Sequence, residues 1–321
     1  SVRMVIMSIR NISTSSMSLG GSYSNMAGRL RYAGAGYVAG GATGSRVATV
    51  DKFAFADDSR TTLVTGLSSA RSDMPGFASA SAGYAAGGYT GSNVSTVDKF
   101  AFSDDSRTTL GTGLSSARRG AAGFASGIAG YAAGGFSTVN TTTVDKFAFA
   151  GDTRTTLGTG LSTSFSSGSG FASASSGYAA AGNDLTTVNK FAFADDSRTT
   201  LATGLSADRR YAAGFASSVA GYYAGGYGYA VSGRITTVDK FAFADDSRTT
   251  LGTGLSVPSL MGAGFASSAA GYVAGGGLAV GNISVVDKFA FSDDSRSTLS
   301  VGISSELNAA AGFASPSGWG I

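Results

Sequence analysis

The amino-acid sequence predicts an all-β fold: a seven-bladed β-propeller in which each blade is a sheet of four antiparallel strands. A phrase of the form DKFAF recurs at intervals of 44 to 50 residues along the 321-residue chain. Between its copies lie short apolar segments separated by Gly, Ser and Asp, and none of them is long enough for a helix. Repeats of about 45 residues that hold four short strands each are typical of propeller blades.

Each repeat contains four candidate strands, which we call a, b, c and d in chain order. Strand a has the sequence GFAS, strand b GYAAGG, strand c TVDKFAF and strand d RTTL, with Gly-, Ser- or Asp-rich turns between them. Alternating apolar residues rich in Phe, Tyr, Thr and Val favour strands. The DKFAF phrase, which marks strand c, begins at Asp51, Asp98, Asp145, Asn189 (as NKFAF), Asp239 and Asp287.

The two chain ends supply the strands from which we predict a seventh blade. Residues 2–7 (VRMVIM) precede Val50 by 48 residues and indicate a degenerate strand c that leads into a strand d. Residues 312–315 repeat GFAS, and Trp319 follows Tyr272 by 47 residues, so the C-terminus is predicted to add strands a and b. Pairing both ends in one blade removes exposed sheet edges. The predicted domain is 1–321, with blades at 27–67, 74–114, 121–161, 168–205, 211–255 and 261–303 and a split blade of 1–20 plus 309–321.

The composition is typical of a folded protein and lacks two residue types that many enzymes use in catalysis. The sequence is 43% hydrophobic with 20 Phe and 13 Tyr, enough for a core, while its 49 Gly and 3 Pro indicate many tight turns. It contains no His and no Cys, which excludes thiol nucleophiles, histidine bases and the usual zinc sites. We therefore expect no enzyme, no catalytic or metal-binding residues and no cofactor. Without a signal peptide or a long apolar run, we also expect synthesis in the cytoplasm and no membrane insertion.

Sequence differences among the repeats concentrate in the b–c and d–a loops, whereas the a–b and c–d turns are nearly uniform. In an antiparallel blade these two variable loops emerge at the same end of the strands, so they are predicted to share one face of the ring. A rigid scaffold with one variable loop face favours recognition of a partner. The alternative is drift, because loops tolerate substitution more readily than strands.

The variable loops carry seven Arg against Asp73, Asp184, Asp208 and Glu306, a balance of +3. Arg and Tyr on such a face are suited to acidic sugars or to a protein partner. These positive charges are too dilute for the dense basic surface that nucleic acid requires, so no nucleic acid is expected. The candidate binding residues are Arg46, Arg71, Tyr89, Arg118, Arg119, Arg209, Arg210, Tyr211, Tyr227, Tyr229 and Arg234.

Two acidic motifs have structural explanations beside functional ones. The repeated Asp-Asp-Ser-Arg of the c–d turn suggests either a calcium site or a turn in which Asp accepts backbone N–H groups, and the turn is favoured because it recurs in almost every blade. The Asp that opens strand c is predicted to be buried between blades. It then needs a donor, either the repeat Arg or a backbone N–H group.

The Gly-Gly doublet after an aromatic strand, as at residues 84–88 and 131–135, and the Arg before strand a resemble the kelch repeat over the whole chain. The repeat style is most similar to that of kelch-containing tail-fibre and virion proteins of tailed bacteriophages. This resemblance implies a non-enzymatic virion protein that binds a host-surface glycan or protein, or other virion proteins, and an oligomer is compatible with it. The alternative is a cellular lectin-like or adaptor propeller. A kelch-type oxidase would need histidines and a cysteine-linked tyrosine, which the chain lacks.

Overall fold

The computed structural model describes residues 31–32, 34–180, 182–183, 185–316 and 318–319. Within these residues the protein is all-β, and no helix is long and apolar enough to cross a membrane. Six antiparallel sheets of four strands are accompanied by a two-stranded and a three-stranded ribbon. The order of strands in each large sheet is a-b-c-d.

The large sheets are numbered as blades 1 to 6. Their strands, given from a to d, are Ala311–Ala314, Ala35–Ala39, Val50–Ala54 and Arg60–Thr62 in blade 1; Gly76–Ala78, Ala82–Ala86, Val97–Ala101 and Arg107–Thr109 in blade 2; Ala122–Ala125, Ala129–Ala133, Val144–Ala148 and Thr153–Thr156 in blade 3. Those of the other blades are Ser169–Ala172, Ser176–Ala180, Val188–Ala192 and Arg198–Thr200 in blade 4; Ala213–Ala216, Ala220–Ala224, Val238–Ala242 and Arg248–Thr250 in blade 5; Ala263–Ala266, Ala270–Gly277, Asn282–Ala290 and Arg296–Thr298 in blade 6. The two-stranded ribbon joins Arg31–Tyr32 to Gly318–Trp319, and the three-stranded one joins Arg209–Arg210, Tyr227–Gly228 and Gly233–Arg234.

The four strands differ in burial because they lie at increasing distance from the centre of the ring. Every residue of strand Ala129–Ala133 is buried, and strand Val144–Ala148 alternates after its first two residues. The outer strand Thr153–Thr156 is mostly exposed. Small residues therefore form strand b, where sheets pack face to face, while Arg and Thr form the outer edge.

The six blades form a closed ring, and the predicted count of seven blades was wrong. Each strand a contacts the strands a of the two neighbouring blades, and that of blade 1 contacts both blade 6 and blade 2. At the axis, a Cβ placed on Gly76 would lie only 2.2 Å from the carbonyl oxygen of Gly312, which belongs to blade 1. Since blades 1 and 2 touch directly, no space remains between them for another blade.

The composition of the closing blade also differs from the prediction. Ala311–Ala314 pairs with Ala35–Ala39, so the C-terminus contributes one strand and residues 35–62 contribute three. The strand a that was predicted within the blade at 27–67 is therefore supplied by the other end of the chain. Gly318–Trp319 pairs with Arg31–Tyr32 rather than serving as strand b of a full blade. The predicted c and d strands of residues 1–20 lie outside the described residues.

Aromatic rings hold neighbouring blades together. In blade 3 the ring of Phe124 stacks on Tyr131 with centroids 5.0 Å apart and on Phe191 of blade 4 at 5.8 Å. Gly177 of blade 4 lies directly against the Phe124 ring, because a Cβ there would meet the ring at 2.0 Å. The same Phe-over-Gly contact recurs around the ring, which explains why strand b carries glycine before its tyrosine.

The Asp-Asp-Ser-Arg turns fasten blade to blade on the face opposite the variable loops. The first Asp accepts a backbone hydrogen bond, as from Ser59 N to Asp57 Oδ1 at 3.0 Å. The second Asp has positive φ and binds the preceding blade: Asp196 accepts from Lys146 Nζ at 2.6 Å and from Tyr131 Oη at 2.9 Å. The equivalent ion pairs form a complete cycle: Lys52–Asp105, Lys99–Asp152, Lys146–Asp196, Lys190–Asp246, Lys240–Asp294 and Lys288–Asp58.

The Asp that opens strand c is buried and fully engaged. Asp145 accepts from Ser115 N at 2.8 Å, Ser115 Oγ at 2.9 Å and Arg118 Nη1 at 2.9 Å, and its other oxygen accepts from Thr156 at 2.7 Å. Both kinds of donor predicted from the sequence, the repeat Arg and a backbone N–H group, are present. Burial opposes ionisation, but these hydrogen bonds and the Arg118 charge outweigh it and lower the pKa of Asp145.

We expect acid to destabilise the ring through these carboxylates. The pKa values of Asp98 and Asp145 are lower in the folded protein than in the unfolded chain, so their contribution to stability is complete above an ordinary carboxyl pKa of about 4. That contribution is lost as the pH falls through the lower, folded-state pKa. Through these two carboxylates, the urea concentration at the unfolding midpoint should be constant between pH 7 and about pH 4. It should then decrease as the pH is lowered from about 4 to 3. A midpoint that does not fall by pH 3 would contradict this.

Candidate functional site

The b–c and d–a loops meet on one face of the ring, as the repeat pattern predicts. Backbone bridges join Tyr89 of one b–c loop to Ser72 of a d–a loop, and Phe136 to Arg119 in the next blade. Loops of adjacent blades are tied together as well, since Asn93 Nδ2 donates to Phe136 O at 3.1 Å. The variable loops therefore form one continuous surface, which we call the loop face.

At the centre of the loop face, six residues surround the mouth of the axial channel, one from each d–a loop. All six have φ between 57° and 65°, and each lies three residues before the axial glycine of strand a. Each donates its backbone N–H to the carbonyl of the equivalent residue in the neighbouring blade, at 2.6 to 2.8 Å. The hydrogen bonds close into a ring that runs through Asp73, Ala309, Met261, Tyr211, Ser167 and Gly120 and returns to Asp73.

These six positions share one backbone conformation but are occupied by six different residue types, five with side chains and one glycine. They surround a cavity of about 100 Å³ whose lower wall consists of the axial glycines. Asp73 and Tyr211 stand across the mouth from each other, because three hydrogen bonds separate them in either direction around the ring. Sequence reasoning missed Asp73, Ser167 and Met261, although their constant offset from GFAS would have revealed them. Left-handed backbone is unfavourable for most residues, so the ring imposes the same strain on every side chain it presents.

Three of the predicted binding residues are not on the surface. Arg71, Arg118 and Arg209 are fully buried. They bind Asp98, Asp145 and Asp239 at 2.9 Å each. Desolvation lowers the pKa of each guanidinium, and the carboxylate partner opposes that shift. Assigning them to a ligand-contacting set was wrong, because a buried Arg–Asp pair has neither access to a ligand nor charge left for one.

Arg46, Tyr89 and Arg119 come together on the loop face from three different loops. The guanidinium carbon of Arg46 lies 4.2 Å from the centre of the Tyr89 ring, and that of Arg119 lies 4.3 Å from it. Arg119 also lies 5.5 Å from the centre of the Phe136 ring. Because two guanidinium groups cover its ring, Tyr89 positions the arginines and is not free to stack on a ligand.

The remaining predicted residues lie around blade 5. Arg210 is 5.4 Å from the ring centres of both Tyr211 and Tyr227. Arg234 donates from Nε to Gly277 O of blade 6 at 3.0 Å. Tyr229 is at the tip of the three-stranded ribbon and is 64% exposed. The structure thus divides the predicted set into a cluster at blades 1 to 3, a second cluster at blade 5, and three buried arginines.

Asp73 belongs to both the channel mouth and the Arg46 cluster. Burial raises the pKa of the Asp73 carboxyl, while a hydrogen bond from Ser72 Oγ at 2.8 Å and the charges of Arg119 and Arg46 oppose the rise. The side chains available at the mouth are thus a carboxylate, a hydroxyl, a phenol and a thioether, backed by guanidinium groups. This set can hydrogen-bond polyhydroxylated ligands and pair with anions.

Among the described residues, no three or more Asp or Glu side chains lie together in a way that could hold a metal ion. No protein-family model matches the chain, and no curated protein matches it.

Proposed function

We propose that this protein is a non-enzymatic recognition protein of a bacteriophage virion, and that it binds a host-surface glycan or protein, or a neighbouring virion protein, through the loop face. One observation carries the recognition part of the proposal. The six mouth positions have similar φ and the same backbone hydrogen bond but are occupied by six different residue types.

The opposite face supplies the comparison. There the six equivalent positive-φ positions of the c–d turns are all Asp: Asp58, Asp105, Asp152, Asp196, Asp246 and Asp294. Each of those Asp side chains accepts hydrogen bonds from the preceding blade, as Asp196 does from Tyr131 and Lys146. At the mouth only the backbone makes the repeated contact, so the side chains there can vary to suit a ligand. The virion assignment rests on the similarity of the repeats to those of phage proteins.

The recognition proposal is tested by binding of the purified protein to an array of bacterial surface glycans. The double variant Tyr211→Ala and Met261→Ala removes two mouth side chains and should weaken binding about tenfold or more. Its control is Ile128→Ala with Val219→Ala, which removes exposed apolar side chains from the a–b turns on the opposite face. Equal binding by both double variants would refute the loop face as the binding surface.

The virion part has its own test. The protein should sediment with intact phage particles from a lysate of cells that produce it. If all of the protein is recovered in the particle-free fraction, the virion role is contradicted. Recognition by the loop face would then still be tested by the glycan array.

A further inference from the structure

Arg46 and Arg119 differ from the other arginines of the described residues in that their guanidinium groups form no hydrogen bond and no ion pair there. Apart from these two, each arginine whose side chain the structure describes is engaged in a hydrogen bond, an ion pair or another polar interaction. Arg46 and Arg119 have only ring contacts with Tyr89 and Phe136. Arg46 Nε is buried without an acceptor among the described residues, as is the Nε of several other arginines, so the donors that matter here are the terminal N–H groups of Arg46.

The two guanidinium groups are held in place without being neutralised. They come from different blades, and Tyr89, from a loop of the blade between them, fixes both. A ring contact of this kind orients the planar fork but leaves its N–H groups available for an acceptor. Two guanidinium groups with available N–H donors on one aromatic ring favour binding of a planar anion that can accept several hydrogen bonds.

We propose that Arg46 and Arg119 bind the carboxylate of an acidic sugar residue whose ring lies over the channel mouth. This inference rests on the proposed function, since it assigns a ligand class and an anchoring site to the loop face.

The local charge favours a carboxylate over a phosphate. Two arginines and one acidic side chain, that of Asp73, lie at this part of the rim, so formal positive charges outnumber negative ones by one. Asp73 disfavours a dianionic phosphate more than a singly charged carboxylate. The buried Arg71 and Arg118 contribute no further positive charge, because each is paired with its own Asp.

The shape of the rim favours a sugar. Gly120 follows Arg119 directly and lines the channel mouth, so the residue between the Arg119 backbone and the cavity has no side chain. Ser167 is next to Gly120 in the ring of mouth residues and Tyr211 follows Ser167, and both line the cavity. A hydroxyl and an aromatic ring beside a fixed cation suit the hydroxyl groups and the apolar face of a pyranose.

The experiment uses an array of oligosaccharides that end in glucuronic acid or N-acetylneuraminic acid, each printed beside its methyl ester and beside a mannose 6-phosphate probe. The wild-type protein should bind a carboxylated glycan, and esterification should weaken that binding about tenfold or more. Arg46→Gln and Arg119→Gln should each cause a similar loss. Arg198→Gln, which removes the same charge from the outer strand of blade 4, should leave binding unchanged.

Arg119→Lys keeps a cation over Tyr89 but lacks the planar pair of donors, so it should also weaken binding while leaving the thermal unfolding midpoint at the wild-type value. Equal binding to acid and ester, preference for the phosphate probe, or indifference to Arg46→Gln and Arg119→Gln would overturn the inference. So would failure to bind any carboxylated glycan. Binding of a neutral glycan that depends on Tyr211 and Met261 but not on the two arginines would overturn this inference and preserve the proposed function.

Discussion

Replacing Arg118 with methionine is expected to destabilise the protein by about 3 to 5 kcal/mol, the range for breaking a buried ion pair from one side. Arg118 and Asp145 both have 0% side-chain exposure. Without the guanidinium, the Asp145 charge remains buried, and the carbonyl oxygens of Gly134 and Ala132 lose donors at 2.8 and 3.1 Å. Urea denaturation followed by circular dichroism measures the loss.

The chain itself supplies the matched control. Blade 4 has Phe165 in the place of Arg118 and Asn189 in the place of Asp145, and Ser162 N donates to Asn189 Oδ1 at 3.0 Å as Ser115 N does to Asp145. The double variant Arg118→Phe with Asp145→Asn should therefore regain most of the stability. Recovery will be incomplete, because Asn189 Nδ2 has no partner among the described residues. If the single and double variants are equally unstable, the unpaired charge of Asp145 is not the cause of the lost stability.

Gly123→Ala is expected to cost about 3 kcal/mol by forcing blades 2 and 3 apart at the axis, the upper part of the usual range for overpacking. A Cβ on Gly123 would lie 2.3 Å from the carbonyl oxygen of Gly76, and backbone cannot move aside as a flexible side chain can. The same contact occurs between every pair of neighbouring blades, so a displacement in one place strains the closed ring.

Gly127, four residues along in the same hairpin, is the control. A Cβ there has no heavy atom within 4 Å, and its φ is not in the left-handed region. Gly127→Ala should therefore change the unfolding free energy by no more than about 0.5 kcal/mol, with a slight gain from the stiffer unfolded chain. Equal effects of the two substitutions would mean that the axis is not closely packed.

Three types of contact close the ring, and each occurs between every pair of neighbouring blades, including blades 6 and 1. The axial glycines pack in a cycle, the mouth residues form a cycle of backbone hydrogen bonds, and the Lys–Asp pairs form a third on the opposite face. The Lys–Asp pairs are partly exposed, so each adds little alone, and their cyclic arrangement serves mainly to align the blades. A rigid ring of this kind can hold loops of differing sequence without losing its shape.

Much of this architecture could be predicted from sequence because the repeat is regular. The DKFAF and GFAS phrases identified the strands, their alternation identified the buried faces, and the loops that share a face followed from antiparallel pairing. The buried Asp of strand c was predicted together with its donors, which Ser115 and Arg118 provide at Asp145. These are local or near-local relations that a repeat makes visible.

The blade count was missed although the signal was present. GFAS and the DKFAF or NKFAF phrase each occur six times in the sequence, once for each blade that forms, and AGY occurs five times with SGY in its place in blade 4. The seventh blade was predicted from the weak similarity of residues 2–7 to strand c and of Trp319 to strand b. How many blades close a ring depends on the twist and spacing of packed sheets, which no short segment encodes.

The candidate binding residues could be only partly predicted from the sequence. By itself the sequence determined the repeating strands, the uniform and variable loops and the absence of His and Cys. Only the tertiary structure decided that Arg118 is buried against Asp145 while the adjacent Arg119 lies over Tyr89 with its donors free. Two consecutive arginines carry the same local signal, but one points between the sheets and the other lies over Tyr89 on the loop face, and that direction is set by contacts with residues far away in the chain.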